Sequence, residues 1–443
     1  MLQTGFARMD ITPHLGVSLR GQYFARIADG VLDPLLGTGI AFSDGENKAI
    51  LMSLDLIGIP QLLQNELRRS VAQRLEIPLE AVFIACTHTH QGPATSEETG
   101  RIVEPEYVDW LEKRLCDIAF LAMQDLAPTT MSYTHGKVED VAFIRRYRMK
   151  DGKAKTNPGW QNPNILHPIG TPDEESTLLI LKREGKPEIG IVNFQVHPDV
   201  IGGTKISADY PKFVRDTYEA NIPNSLCMYI NGANGDINHV DVRLGPDQLR
   251  GGYERSKYMG RKIAMSVISN YLLALPLTGE KVRFGQSELL CHYNKGKPEE
   301  MEDALWLYDH YLKVGHKVAG ADAKEKGIMS VPAAVRIYNL KDEPDDKELH
   351  ITALAVGNAV VAGFPGEPFT EIGRCVKKRS PFTVTLIACA ANSYEDYFPM
   401  QDCFDEGGYE TEATLYTAGT AERMIEASLD LINTLICISQ RAQ

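Results

Sequence analysis

Eight cysteines are spread along 443 residues without one Cys-x-x-Cys pair, and Cys86, Cys116, Cys227, Cys389 and Cys437 sit inside apolar runs. That pattern speaks against a disulfide framework and for buried free thiols in a reducing compartment. No apolar run approaches the ~20 residues that span a bilayer. The opening MLQTGFARMDITP has neither a basic nor an apolar leader region, so no secretory signal and a cytoplasmic location are expected. The formal net charge is −13 and no dense basic run interrupts it. A nucleic-acid backbone or an anionic membrane is thereby excluded as the main partner. Internal repeats, low-complexity tracts and clear linkers are missing too. Strands and helices alternate throughout, which predicts one α/β domain over residues 1–443. Its core is expected to be a mixed β-sheet flanked by helices, mixed because hairpin signals are present.

What the chain does contain is a set of apolar strands that end in polar side chains. Residues 82–86 read as a buried strand running into Thr87-His-Thr-His-Gln-Gly-Pro93. Residues two apart in an extended segment point the same way, so His88 and His90 aim two imidazoles into one space. Upstream, residues 39–43 and 48–57 flank the Asp44-Gly45 turn as a hairpin, and Asp55 near its end is a partner for a site histidine, the favoured reading, or a turn cap. Residues 189–196 form a strand ending at His197-Pro198. Residues 226–230 lead into Asn231-Gly-Ala-Asn-Gly-Asp-Ile-Asn-His239. That turn lets backbone approach a ligand closely but lacks the Gly-Lys-Ser/Thr of a phosphate loop. Residues 359–364 end in Pro365-Gly366-Glu367-Pro368, and residues 383–389 lead into the segment holding Tyr394 and Tyr397. Helices are predicted over residues 61–75, 108–126, 207–220, 299–314, 369–378 and 412–435, with residues 5–13 as a short edge strand. Residues 141–175 show no periodicity and are rich in Pro, Gly and Asn. They carry Arg145, Arg146 and Trp160 and read as a long loop, either a cover over the substrate or a simple surface excursion.

Sheets flanked by helices place their sites beyond the strand carboxyl ends. Four such ends here carry His88 and His90, His197, Glu367, and the Tyr394–Tyr397 segment. Catalytic zinc takes about three protein ligands, mostly His and carboxylate, and leaves one position open. It lowers the pKa of bound water to about 7, which yields a hydroxide nucleophile at neutral pH. Two histidines from different strands with Glu367 meet that need.

Six blocks carry a resemblance: Thr87-His-Thr-His-Gln-Gly-Pro93, Asn193-Phe-Gln-Val-His-Pro198, Ser207-Ala-Asp-Tyr-Pro211, Gly235-Asp236, Phe364-Pro-Gly-Glu367 and Asn392-Ser-Tyr-Glu-Asp-Tyr397. In this order they resemble the catalytic domain of the neutral/alkaline (non-lysosomal) ceramidase family, zinc-dependent amidases that cleave the N-acyl bond of ceramide. The likeness runs from Gly5-Phe-Ala-Arg-Met-Asp10 to Tyr409-Glu410. It implies one Zn2+ held by His88, His197, Glu367 and Tyr397, with His90 contacting substrate or assisting proton transfer. The family's active-site arginine corresponds best to Arg146, with Arg145 as the alternative, and a further family tyrosine corresponds to Tyr409. In those roles Arg146 and Tyr409 would donate to the developing oxyanion, and His90 would protonate the leaving amine.

Two departures shape the expectation. Asn238-His239-Val240 stands where the family has a serine followed by Pro-Asn. A serine nucleophile is thereby excluded, and Asn238 is left as a candidate hydrogen-bond partner of the substrate. The chain also stops at Gln443, without the family's C-terminal β-sandwich domain. The expected function is zinc-dependent hydrolysis of an amide (N-acyl) bond in a small-molecule or lipid-like substrate, more polar than membrane ceramide. The competing expectations are a homologue that binds a small ligand without turnover, and a His-x-His metallohydrolase on a TIM barrel.

Overall fold

The apolar strands are buried on both faces, which is why they read as continuous hydrophobic runs. The computed structural model describes residues 1–97, 101–245 and 250–441. Its largest sheet has nine strands. At one edge Val82–Cys86 lies parallel to Lys48–Leu54, and at the other Ser225–Asn231 lies parallel to Glu188–Phe194. Antiparallel pairs connect the two edges through Leu36–Ser43, Gln3–Asp10, Ala127–Lys137 and Glu175–Arg183. A four-stranded sheet orders Val282–His292, Asp346–Val356, Ala359–Gly363 and Val384–Ala388, the last two parallel.

Side-chain alternation sorts each strand between two cores. Ile50, Met52, Val82 and Ile84 pack with Leu67, Leu111 and Leu115 of the helices Gln61–Leu75 and Pro105–Gln124. Their neighbours Leu51 and Phe83, with Leu179 and Ile191, meet Leu354, Val361 and Leu386, so the two sheets stack face to face. Leu178 and Val192 turn toward Val214 and Ile263 of the helices Tyr210–Asn221 and Tyr253–Ile268. Val360 and Ile387 pack on Met424 and Ile432 of the helix Thr420–Arg441. The layers are thus helix, sheet, sheet, helix. This is the expected mixed α/β core flanked by helices, and two stacked sheets leave no place for the barrel alternative.

Three expectations are corrected. Gln3–Asp10 is an interior strand, paired on both sides; Pro13 follows the strand rather than interrupting its ladder, so it gave no edge signal. Residues 141–175 are not one loop. They hold the short strands Arg146–Met149, Ala154–Thr156 and Ile165–Pro168 in a small antiparallel sheet, and strands of three or four residues are too short to reveal alternation. Of the cysteines, all free, Cys116 is half-buried and Cys437 exposed, whereas Cys86, Cys227 and Cys389 are buried. The helix Met301–Val314 is followed by two more, His316–Lys326 and Val331–Leu340, which share a small core of Leu307, Tyr311, Ala323 and Ile337. Among the described residues no helix is long and apolar enough to cross a membrane.

Candidate metal centre and its cavity

His88 leaves its strand at φ 72°, in the left-handed region that non-glycine residues rarely occupy. Backbone strain of this kind persists where the surroundings over-determine it. Here the His88 N–H donates to the Leu56 carbonyl at 2.9 Å, and Nδ1 bonds the Ile57 carbonyl at 2.7 Å. A carbonyl only accepts, so Nδ1 carries the proton and Nε2 presents a lone pair. His90 is fixed in the same way, Nδ1 on the Gly21 carbonyl at 2.8 Å, and its Nε2 lies 3.0 Å from His197 Nε2. Gly21 has φ 107°, and a Cβ there would stand 2.5 Å from His90 Nδ1. Only glycine permits that approach. One ligand nitrogen from each of the three histidines falls within 4.8 Å of the others.

Glu367 comes from the other sheet. Its Oε2 lies 3.4 Å from His88 Nε2 and 3.6 Å from His197 Nδ1, while Oε1 accepts from the Tyr394 hydroxyl at 2.6 Å. Both His88 and Glu367 are buried, yet His88 Nε2 and Glu367 Oε2 have no hydrogen-bond partner. An unsatisfied buried polar atom costs about 1–3 kcal/mol, and a cation between these two would remove that cost twice over. Imidazole nitrogens with a carboxylate are a donor set that suits zinc. Burial opposes ionisation of Glu367, but His88 and His197 outweigh it and hold the carboxyl well below the usual range. Burial, reinforced by Arg145, pushes His197 down to about 4. Neutral imidazole is the form that binds metal.

Glu367 pairs with Tyr397 through a two-residue parallel ribbon, Glu367–Pro368 beside Tyr397–Phe398. The Tyr397 and Tyr409 rings stand edge to face at 5.5 Å. The Arg145 guanidinium lies 5.1 Å from the centre of the first ring and 6.0 Å from the second. Arg146 points elsewhere, to Glu406 at 3.3 Å and the Gly407 carbonyl at 2.8 Å. Of the two arginines considered from the sequence, Arg145 faces the site. Asn238 donates to Asn157 Oδ1 at 2.6 Å and accepts from the Val240 N–H at 3.1 Å, tying two loops together away from the cavity. Asp55 is not a histidine partner, contrary to expectation; its carboxylate is taken by Arg215 at 2.9 and 2.6 Å. The Ile57 carbonyl serves His88 instead.

Glu410 orients Arg145. It accepts from Arg145 Nε at 2.8 Å and from Thr156 Oγ1 at 2.6 Å, and it is fully buried. Glu410→Gln preserves the shape but removes the charge opposite a buried guanidinium. It is expected to lower the unfolding free energy by about 2 kcal/mol, the scale of a charged hydrogen bond. Urea unfolding measures it, and a loss below about 0.5 kcal/mol, the range of an ordinary surface change, would mean that Arg145 is held by other contacts.

Two chambers meet at His90, Tyr397 and Tyr409. The larger, about 920 Å³, is walled by Arg145, His197, Lys155, Lys324 and Glu412. The smaller, about 370 Å³, is walled by Glu367, Tyr394, Arg336 and Leu340. Tyr23 separates them, donating from its hydroxyl to Tyr409 Oη at 3.2 Å and accepting at its carbonyl from the Tyr311 hydroxyl at 2.6 Å.

No protein-family model matches this sequence, and no curated protein matches it. Solved structures do. Neutral ceramidase from Pseudomonas aeruginosa superposes with a TM-score of 0.70 at 16% identity, over 97% of this chain and 74% of its own. A ceramidase complexed with C2 gives a TM-score of 0.71 at 15% identity, over 99% of this chain and 75% of its own. The chain has a ceramidase-like fold. At such identities the likeness is one of architecture. Within this ceramidase-like frame, the residues that sequence reasoning missed are Gly21, Tyr23 and Arg336, together with the role of Glu410. Their partners lie tens to hundreds of residues away, at His90, Tyr409, Glu412 and Arg145. The one available signal was the glycine before a tyrosine in Arg20-Gly-Gln-Tyr23.

Proposed function

We propose that the protein is a zinc-dependent hydrolase of amide (N-acyl) bonds. The observation that carries the reading is the pair of buried, unsatisfied atoms, His88 Nε2 and Glu367 Oε2, facing each other within a three-imidazole cluster. His88, His197 and Glu367 would hold the ion, with Tyr397 as a fourth donor beside Glu367. Bound zinc supplies a Lewis acid for an amide carbonyl and acidifies water.

The remaining roles belong to side chains. Arg145, held by Glu410, and Tyr409 donate hydrogen bonds to the carbonyl oxygen as charge develops on it. His90, whose Nδ1 is fixed on Gly21 and whose Nε2 lies beside His197 Nε2, would move a proton to the departing nitrogen from Nε2. Asn238 has no part, since its amide is engaged with Asn157. The ligand-binding alternative gains nothing from the exchange of serine for Asn238.

Purified protein is expected to carry about one zinc per chain. It should hydrolyse a short-chain N-acyl amide, lose that activity to a chelator and regain it with added zinc. Metal analysis with no bound zinc, or turnover indifferent to chelation, would sink the proposal.

A further inference from the structure

Arg336, on the helix Val331–Leu340, lines the smaller chamber and is 8% exposed. Other buried guanidinium groups are matched by carboxylates: Arg145 by Glu410, Arg146 by Glu406 and Arg215 by Asp55. Those without one spend their donors on carbonyls, Arg68 on Val82 and Leu79, Arg283 on Leu435 and Gly357. Arg336 has a single such carbonyl and, among the described residues, no carboxylate in contact. It makes a hydrogen bond from Nη1 to the Glu412 carbonyl at 2.6 Å, its Nε has no partner, and it has no ion pair among the described residues. A guanidinium offers five N–H donors in a planar fork that matches a carboxylate edge to edge. Glu300 and Glu412 act on Arg336 only through space, and a buried guanidinium with no carboxylate in contact is costly. Its position on the wall of a chamber that also holds Glu367 and Tyr397 is where a ligand would supply one.

Arg20, Arg101, Arg336 and Lys347 line the chamber, against Glu343, Glu367 and Asp396. Lys347 is matched by Glu395 at 2.7 Å, and Glu367 faces the histidines. A divalent ion bound there would tilt the chamber further toward anions. At about 370 Å³ it holds a compact group. The chamber of about 920 Å³, reached past the same Tyr397 and Tyr409, has room for a longer one, and beside its charged groups its wall carries Ile328, Met329, Val331 and Phe404.

Resting on the amide-hydrolase reading above, we propose that the substrate is an N-acyl amino acid whose free carboxylate sits on Arg336, with its acyl chain in the larger chamber. Hydrolysis breaks the C–N bond; the oxygen of water joins the acyl carbon and the amino acid leaves with the proton on nitrogen.

The test compares N-hexanoylglycine and N-hexanoylalanine with their matched carboxamides, on the zinc-loaded full chain. Wild type is expected to favour the carboxylates by about 10- to 100-fold in kcat/KM, mostly through KM, the scale of one charged hydrogen-bonded contact. Arg336→Met should collapse that ratio toward one and Arg336→Lys should keep part of it, with zinc content and thermal unfolding followed in both. An unchanged ratio in Arg336→Met, or a wild-type preference for the carboxamides, overturns the proposal. If none of the four amides is turned over, the hydrolase reading fails, and Arg336 is judged by binding alone. Calorimetry of N-hexanoylglycine on zinc-free protein then decides: binding at least about tenfold weaker in Arg336→Met supports the anion site, and equal binding overturns it.

Discussion

Glu367→Ala is expected to empty the metal centre. Zinc content should fall from about one equivalent per chain to background, and amide turnover should fall by about a thousandfold or more, the equivalent of the several kcal/mol that a Lewis acid contributes. The carboxylate is well suited to this role because it bridges the two sheets. It arrives from the strand Ala359–Gly363 of the smaller sheet and meets His88 and His197, which follow strands of the larger one. Tyr394→Phe offers a graded comparison, since it removes only the hydroxyl that donates to Glu367 Oε1 at 2.6 Å. Loss of such an outer partner costs about 10- to 100-fold in metal affinity. If Glu367→Ala retained zinc as well as Tyr394→Phe, Glu367 would not be a ligand. The same assay separates His90 from Tyr397. On the proposed assignment, Tyr397→Phe weakens zinc binding, whereas His90→Ala leaves zinc bound and slows turnover.

How much of this was legible in the chain depends on how local each signal is. Val82–Cys86 could be read to the residue, because a strand buried on both faces is a short apolar run bounded by turn residues. The histidines and Glu367 were legible as polar groups at the ends of such runs. Neighbouring side chains were not. Arg145 and Arg146 differ by one position, and one position turns a side chain from the cavity toward Glu406. The pairing that orients Arg145, with Glu410, spans 265 residues. The helix His316–Lys326 left no trace because only Ala319 and Ala323 are buried, which is too little for an apolar period. Asp55 misled for a related reason. A carboxylate near a strand end suggests a histidine partner, but its actual partner, Arg215, lies 160 residues on.

That pairing supports the second large effect. Asp55→Ala is expected to destabilise the fold by about 3–5 kcal/mol, the cost of leaving one member of a buried ion pair alone. Arg215 Nη1 and Nη2 both end on the Asp55 carboxylate, and both residues are almost wholly buried. The same carboxylate accepts from the Leu36 N–H at 2.9 Å and Thr87 Oγ1 at 3.2 Å. It therefore fastens the residue before His88 to the helix Tyr210–Asn221, which follows the His197 loop. Asp55→Ala should thus weaken zinc binding as well as stability, because the strained backbone of His88 loses its neighbour's anchor. Arg215→Met in the same chain removes the orphaned charge and should restore part of the stability, without restoring the Thr87 contact or the zinc affinity. Urea unfolding and zinc titration of the single and double variants measure the two effects. A loss below about 1 kcal/mol in Asp55→Ala, the scale of an exposed pair, would show that the pair is not what joins these two strand ends.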